Sequence, residues 1–179
     1  MEFICDSKHC TNEKYFILSD CNYIPTEISS LVQILGYFQY QAPNISSAHS
    51  WSLPEDLHDE IYELIIEKTK FVKQSFASNQ KVLQKRFLEN HLSETKFCYL
   101  CKRFTCLKDS KKSKLECFLR HLRNSIAHGL VYLPLLKSRY ICFKDINKDN
   151  KVTAMIILEK NDLYTWKDII EKFRYKVQL

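Results

Sequence analysis

The sequence is poor in glycine and proline, with 2 Gly and 4 Pro among its 179 residues. All-β sandwiches and barrels need many tight turns, and glycine is the usual residue for them. The shortage therefore counts against an all-β fold. Neither G-x-G-x-x-G nor G-x-x-x-x-G-K-[ST] occurs, which excludes Rossmann and P-loop nucleotide sites in their usual forms.

Long apolar runs are also missing. No segment approaches the ~20 apolar residues of a membrane helix. The first residues, Met1 to Asp6, lack the basic region and the apolar stretch of a signal peptide. We therefore expect a cytoplasmic protein with no membrane partner, in which the 8 Cys are thiols and not disulfides.

What is present fits a globular protein. Apolar residues make up 45% and aromatic residues 13%, which is enough for a core and too much for a disordered chain. The length predicts a single domain over residues 1–179. The net charge of +6 permits an anionic partner such as RNA without requiring one.

Apolar residues spaced three and four apart predict a series of helices. They cover about residues 26–38, 54–76, 79–91, 94–107 and 115–126, and a last helix from Asn161 or Asp162 to Val177. Ser113 and Glu116 have the spacing of a capping box for the fifth helix. Gly129 is expected to end that helix.

Two segments rich in β-branched and aromatic residues, 139–146 and 152–158, flank the polar turn 147–151. They predict a β-hairpin, which must pack on the helices because a lone hairpin is marginal in water. We therefore predict a mainly α fold. It has a helical bundle over residues 26–136, followed by the hairpin and the last helix over residues 139–179.

The helix at 115–126 has a polar side opposite its apolar side. On an ideal helix the apolar residues Phe118, Leu119, Leu122 and Ile126 all fall within roughly 60° of Leu115. The opposite side holds Cys117, His121, Asn124 and His128, flanked by Arg120 and Arg123. Such a face is either solvated or covered by a partner.

The order of residues on this helix is informative. Residues 123–128 read R-N-S-I-A-H, which resembles the R-x(4–6)-H motif of the HEPN superfamily (higher eukaryotes and prokaryotes nucleotide-binding domains). The wider segment 118–129, F-L-R-H-L-R-N-S-I-A-H-G, looks like that family too. The hairpin and last helix resemble HEPN proteins of prokaryotic toxin–antitoxin and phage-defence loci.

The resemblance implies a metal-independent endoribonuclease that needs no cofactor and acts on RNA as a homodimer joined through the motif helix. An antitoxin or a defence-system protein is a further implied partner. Arg123 and His128 of both subunits would line one cleft. His moves protons near neutral pH, and the Arg fork stabilises charge on a phosphate. The alternative is a non-catalytic HEPN-type dimerisation or nucleotide-binding or RNA-binding module.

Other side chains have secondary roles in this hypothesis. Asn124 either orients His128 or binds a phosphate oxygen. His121, together with Arg120, either assists catalysis or is an ordinary surface residue. The lysines before the helix form either a solvated turn or a path for RNA; they are Lys108, Lys111, Lys112 and Lys114.

The cysteines pose a separate question. Cys98 and Cys101 have a zinc-like spacing, with Cys106 nearby and Cys5 and Cys10 far upstream. On the predicted helix 94–107, Cys101 faces the core while Cys106 points to the other side. These thiols would not converge, so we predict no metal site; a loop at 94–107 would make a zinc site feasible.

Overall fold

The computed structural model describes residues 15–17, 29–44, 51–92, 96–98, 101–133 and 139–177. Its helices are α1 (Ser29–Tyr40), α2 (His58–Thr69), α3 (Gln80–Glu89), α4 (Lys114–Ala127) and α5 (Lys160–Val177), and the 3₁₀ turn Glu55–Leu57 precedes α2. Its strands are β1 (Tyr15–Ile17), β2 (Lys73–Ala77), β3 (Lys96–Cys98), β4 (Arg103–Leu107), β5 (Val131–Tyr132), β6 (Tyr140–Ile146) and β7 (Val152–Glu159).

Five of these strands form one sheet in the order β2-β4-β7-β6-β5. The β2–β4 pair is parallel and the other pairs are antiparallel. The predicted hairpin is present as β6 and β7. Its turn is stabilised by Asn147, whose Oδ1 accepts the backbone N–H groups of Asp149 and Lys151 at 3.0 and 2.9 Å. The short strands β1 and β3 pair separately.

Apolar side chains cover both faces of the sheet. On one face, Phe143 and Ile156 share a core with residues of α1, α2, α4 and α5. On the other face, Cys142 and Met155 pack with Leu83 of α3. Successive residues of a strand point to opposite faces. Because helices cover both faces of the sheet, β6 and β7 are nearly continuous apolar segments.

The prediction of a mainly α bundle is wrong, because the fold is mixed α/β. The predicted helix at 54–76 contains α2 and then β2. Lys70 lies between them and adopts the left-handed conformation (φ 55°), which ends α2. Its backbone N–H donates to the carbonyl of Ile66 at 3.0 Å. The predicted helix at 94–107 contains β3 and β4. A short apolar segment buried on both faces has no period that distinguishes a strand from a helix.

Helix α4 lies between the sheet and two other helices. It packs against β6 and β4 on one side and against α1 and α2 on the other. Its start is the predicted capping box, in which Ser113 Oγ accepts the N–H of Glu116 at 3.1 Å and Glu116 Oε2 accepts the N–H of Ser113 at 3.0 Å. Both partners of the box are thus confirmed.

The end of α4 is a Schellman motif. Gly129 has φ +68°, and its N–H donates to the Ile126 carbonyl at 3.0 Å. The N–H of Leu130 donates to the Ser125 carbonyl at 2.8 Å. The predicted stop at Gly129 is confirmed, and α4 is held at both ends. Within the described ranges, none of the helices carries an apolar stretch of the length needed to span a membrane.

Candidate functional site on helix α4

The sheet covers part of the side of α4 that the sequence predicts to be exposed. Cys117 and His121 are 0% and 1% exposed, so their placement on an open polar stripe is wrong. The apolar pattern locates only part of the buried surface of α4, because polar residues can also face a sheet when their hydrogen bonds are satisfied. The accessible side is rotated toward residues that are at least partly exposed: Glu116, Arg120, Arg123, Asn124 and Ala127.

His121 is enclosed by acceptors instead of solvent. Its Nδ1 lies 2.6 Å from Asp145 Oδ2, and its Nε2 lies 2.7 Å from the carbonyl oxygen of Leu107. Thr153 Oγ1 donates to the same Asp145 oxygen at 2.9 Å. An oxygen atom therefore faces each ring nitrogen, and both nitrogens are within hydrogen-bond distance of a partner. His121 therefore ties α4 to β4 and the hairpin.

One sequence signal could have indicated this partner. Residues 141 and 143 of β6 face the helices, and the strand period puts Asp145 on the same face. An acid at an inward position of an apolar strand needs a buried donor. His121 and Arg120 are both on the helix that packs against this strand, so the sequence alone would not have chosen between them.

The motif residues lie at the C-terminal end of α4. Arg123 Nη1 donates to Asn124 Oδ1 at 3.1 Å, and both side chains are half-buried. His128 is the exposed C-cap residue, whose backbone N–H donates to the Asn124 carbonyl at 2.9 Å. The structure thus brings Arg123 and Asn124 into contact and sets His128 one turn beyond them.

Two guanidinium groups on this side have unused donors. The Nε atoms of Arg120 and Arg123 are buried and have no hydrogen-bond partner among the described residues. A buried donor without an acceptor is unfavourable, so both side chains would gain from a rearrangement that brings an acceptor to these atoms. We call Arg120, Arg123, Asn124 and His128 the motif surface. It offers two cations, an amide and an imidazole, which is the chemistry of phosphate binding and proton transfer.

The predicted RNA-binding lysines lie at the other end of the helix. Lys108, Lys111 and Lys112 are in the loop between β4 and α4, and Lys114 begins α4. The 14 residues of α4 separate them from His128 by about 21 Å. Within one protomer the lysines and His128 are therefore far apart.

The cysteines form no metal centre in the described part of the chain. Within it, no three His, Cys, Asp or Glu side chains are grouped so that they could hold a metal ion. Cys101 and Cys106 are buried and form no disulfide, so the orientation of Cys106 away from the core is wrong. Burial raises the pKa of the Cys106 thiol well above its usual value. Cys5, Cys10 and the side chain of Cys98 lie outside the described residues.

A family model described as HEPN pEK499 p136 matches residues 46–177. The chain belongs to this HEPN family. The matched span contains α2 to α5, the whole five-stranded sheet and the motif surface. No curated protein and no solved structure matches this HEPN chain significantly. HEPN domains are typically ribonucleases, and they often bind RNA and dimerise.

Proposed function

We propose that this HEPN chain is a metal-independent endoribonuclease that works in the cytoplasm as a homodimer joined along α4. The observation that carries the proposal is the motif surface. It consists of two partly exposed arginines and a partly exposed amide on the open side of an otherwise enclosed helix, and of an exposed histidine at its end.

These groups suit one reaction in particular. The 2′-oxygen of a ribose attacks the adjacent phosphorus, the bond from phosphorus to the 5′-oxygen breaks, and a 2′,3′-cyclic phosphate forms. A base takes the proton from the 2′-hydroxyl, and an acid returns a proton to the departing 5′-oxygen. His128 is the exposed group for proton transfer. Arg123 and Arg120 offer donors to the phosphate oxygens, on which negative charge accumulates.

A homodimer would complete this site. The reaction moves two protons, and each protomer contributes a single His128 to the motif surface. A two-fold axis beside α4 supplies the second imidazole and doubles the cations, since an isologous contact uses the same patch of both subunits. The Arg123–Asn124 hydrogen bond of 3.1 Å holds the guanidinium at this surface, where it could donate to an RNA phosphate or to the second subunit.

The biological role of the chain is inferred from the family resemblance. Proteins of this kind occur in toxin–antitoxin and phage-defence loci, so we infer an effector role in which an antitoxin or another defence-system protein restrains the chain. The lysines of the loop before α4 extend the RNA contact by binding phosphates.

The test is cleavage of a 5′-labelled RNA by the purified protein in excess EDTA. We expect cleavage to persist, products to end in a 2′,3′-cyclic phosphate, and an RNA with 2′-deoxyribose at the cut position to stay intact. Binding of RNA without any cleavage would contradict the proposal and would favour a non-catalytic RNA-binding module.

A further inference from the structure

A pocket of about 320 Å³ opens between α2, the edge strand β2 and the start of α4. Three aromatic residues form much of its wall. Tyr62 and Phe76 have ring centroids 6.1 Å apart, and Phe76 and Phe104 have centroids 5.4 Å apart. Phe76 is partly exposed, while Tyr62 and Phe104 are buried. We call this the aromatic pocket, and the partly exposed ring of Phe76 is the surface on which a flat ligand could stack.

Polar groups stand at the rim of the aromatic pocket. Gln74 and Glu63 are exposed, and neither side chain forms a hydrogen bond among the described residues. Lys114 also lines the pocket, with its Nζ 5.4 Å from the centroid of the Tyr62 ring. An amide and a carboxylate that form no hydrogen bond among the described residues, and an ammonium held over the Tyr62 ring, therefore surround an aromatic wall.

A second pocket of about 470 Å³ continues from the first, since Glu63 and Lys114 line both. Lys108 lines the second pocket as well. Glu55 and Asp59 line it as well, so with Glu63 three carboxylates face the two lysines, and an anion would be favoured only beside Lys108 and Lys114. A ligand that fits both pockets has a flat polar ring for the aromatic pocket and a negative group near Lys108 and Lys114.

We propose that the aromatic pocket binds an unpaired base of single-stranded RNA, with the adjoining phosphate at Lys108 and Lys114. Bases stack on aromatic side chains. Amides and carboxylates hydrogen-bond to the edges of bases, and lysines attract phosphates. The inference rests on the proposed ribonuclease function, because it takes the ligand to be the RNA substrate.

The position of the pocket gives it a role different from that of the motif surface. It lies at the start of α4, about 21 Å from His128. It would therefore contact a nucleotide away from the cleaved bond and select which sequences or unpaired regions are held for cleavage.

The experiment measures binding of fluorescent 2′-O-methyl oligonucleotides, one for each of the four bases, to the full chain by anisotropy. The variants are Phe76→Leu, which keeps an apolar side chain but removes the ring, and Gln74→Ala, which changes an exposed side chain. Gln33→Ala is the matched control, because Gln33 is exposed on α1 and does not line the pocket.

We expect Phe76→Leu to weaken binding by about 5- to 150-fold, the range for removing one base–aromatic stack. Gln74→Ala should reduce the preference among the four bases, and Gln33→Ala should bind like the wild type. Wild-type affinity and base preference in both pocket variants would overturn the inference, as would failure of the wild type to bind any of the oligonucleotides. Because Gln74 is exposed, its variant remains a test if Phe76→Leu folds poorly.

These oligonucleotides cannot be cleaved, so binding is read separately from catalysis. Cleavage of ordinary RNA by the wild type, combined with unchanged oligonucleotide binding in both variants, would contradict the pocket and leave the ribonuclease intact. Absence of cleavage, combined with weakened binding in the variants, would contradict the ribonuclease and support the pocket.

Discussion

His121 and Asp145 lie 24 residues apart in sequence and 2.6 Å apart in the fold, with side chains only 1% and 3% exposed. Their hydrogen bond joins α4 to β6. With the contact between His121 Nε2 and the Leu107 carbonyl, it fixes the rotation of α4 about its axis. That rotation decides which residues of the helix face outward, so the buried pair sets the composition of the motif surface.

Removing one member of this pair should be strongly destabilising. Asp145→Ala leaves the imidazole without its acid partner, and breaking a buried ion pair from one side typically costs about 3–5 kcal/mol. Urea unfolding measures the change in the free energy of unfolding. Asp149→Ala is the control, because Asp149 lies exposed in the hairpin turn. Equal stability of the two variants would show that the pair does not hold α4.

The two glycines should respond in opposite directions to alanine. A Cβ added at Gly36 or at Gly129 would meet no atom within 4 Å, but only Gly129 has a positive φ, +68°. Gly129→Ala should destabilise by about 1–2 kcal/mol through backbone strain. Gly36→Ala, within α1, should stabilise by about 0.5–1 kcal/mol. Thermal unfolding measures both, and a stabilising Gly129→Ala would disprove the Schellman end of α4.

The loop lysines should contribute to the salt dependence of RNA binding. Lys111→Glu with Lys112→Glu removes two cations, and the log–log salt slope should flatten by roughly 0.7 units for each phosphate of a single strand that is no longer neutralised. Anisotropy at several salt concentrations gives the slope. Lys81→Glu with Lys85→Glu, on exposed positions of α3, controls for net charge. An equal salt slope of RNA binding in both double variants would mean that the loop lysines do not contact RNA phosphates.

The exposed side of α4 should be the dimer contact. Ala127 is exposed beside Arg123 and Arg120, so Ala127→Arg adds a third cation and bulk where two copies would meet. We expect the wild type to sediment as a dimer at micromolar concentration and this variant to sediment as a monomer. Ser110→Arg, in the loop before α4, should stay dimeric. A monomeric wild type would exclude the shared cleft.

Features coded by adjacent residues were predictable from the sequence. The capping box at Ser113, the stop at Gly129 and the β6–β7 hairpin depend on signals within a few residues. Features that depend on distant partners were not. The segment containing Phe104 and Cys106 is buried on both faces and resembles a helix until its neighbours β2 and β7 are known. His121 looked exposed because Asp145 lies on a strand that the helical period of α4 cannot reveal.

The most direct test of the central claim is the RNA-cleavage rate of His128→Ala and Arg123→Ala in EDTA, with Arg86→Ala on α3 as control. Both motif side chains are at least partly exposed, so each variant should keep its stability within about 1 kcal/mol. Removing the proton-transfer group should slow cleavage by about 10²–10⁴-fold, and removing the phosphate-binding cation by about 10²–10³-fold. Arg86→Ala should cleave like the wild type. Cleavage at the wild-type rate by a folded His128→Ala protein would contradict the account.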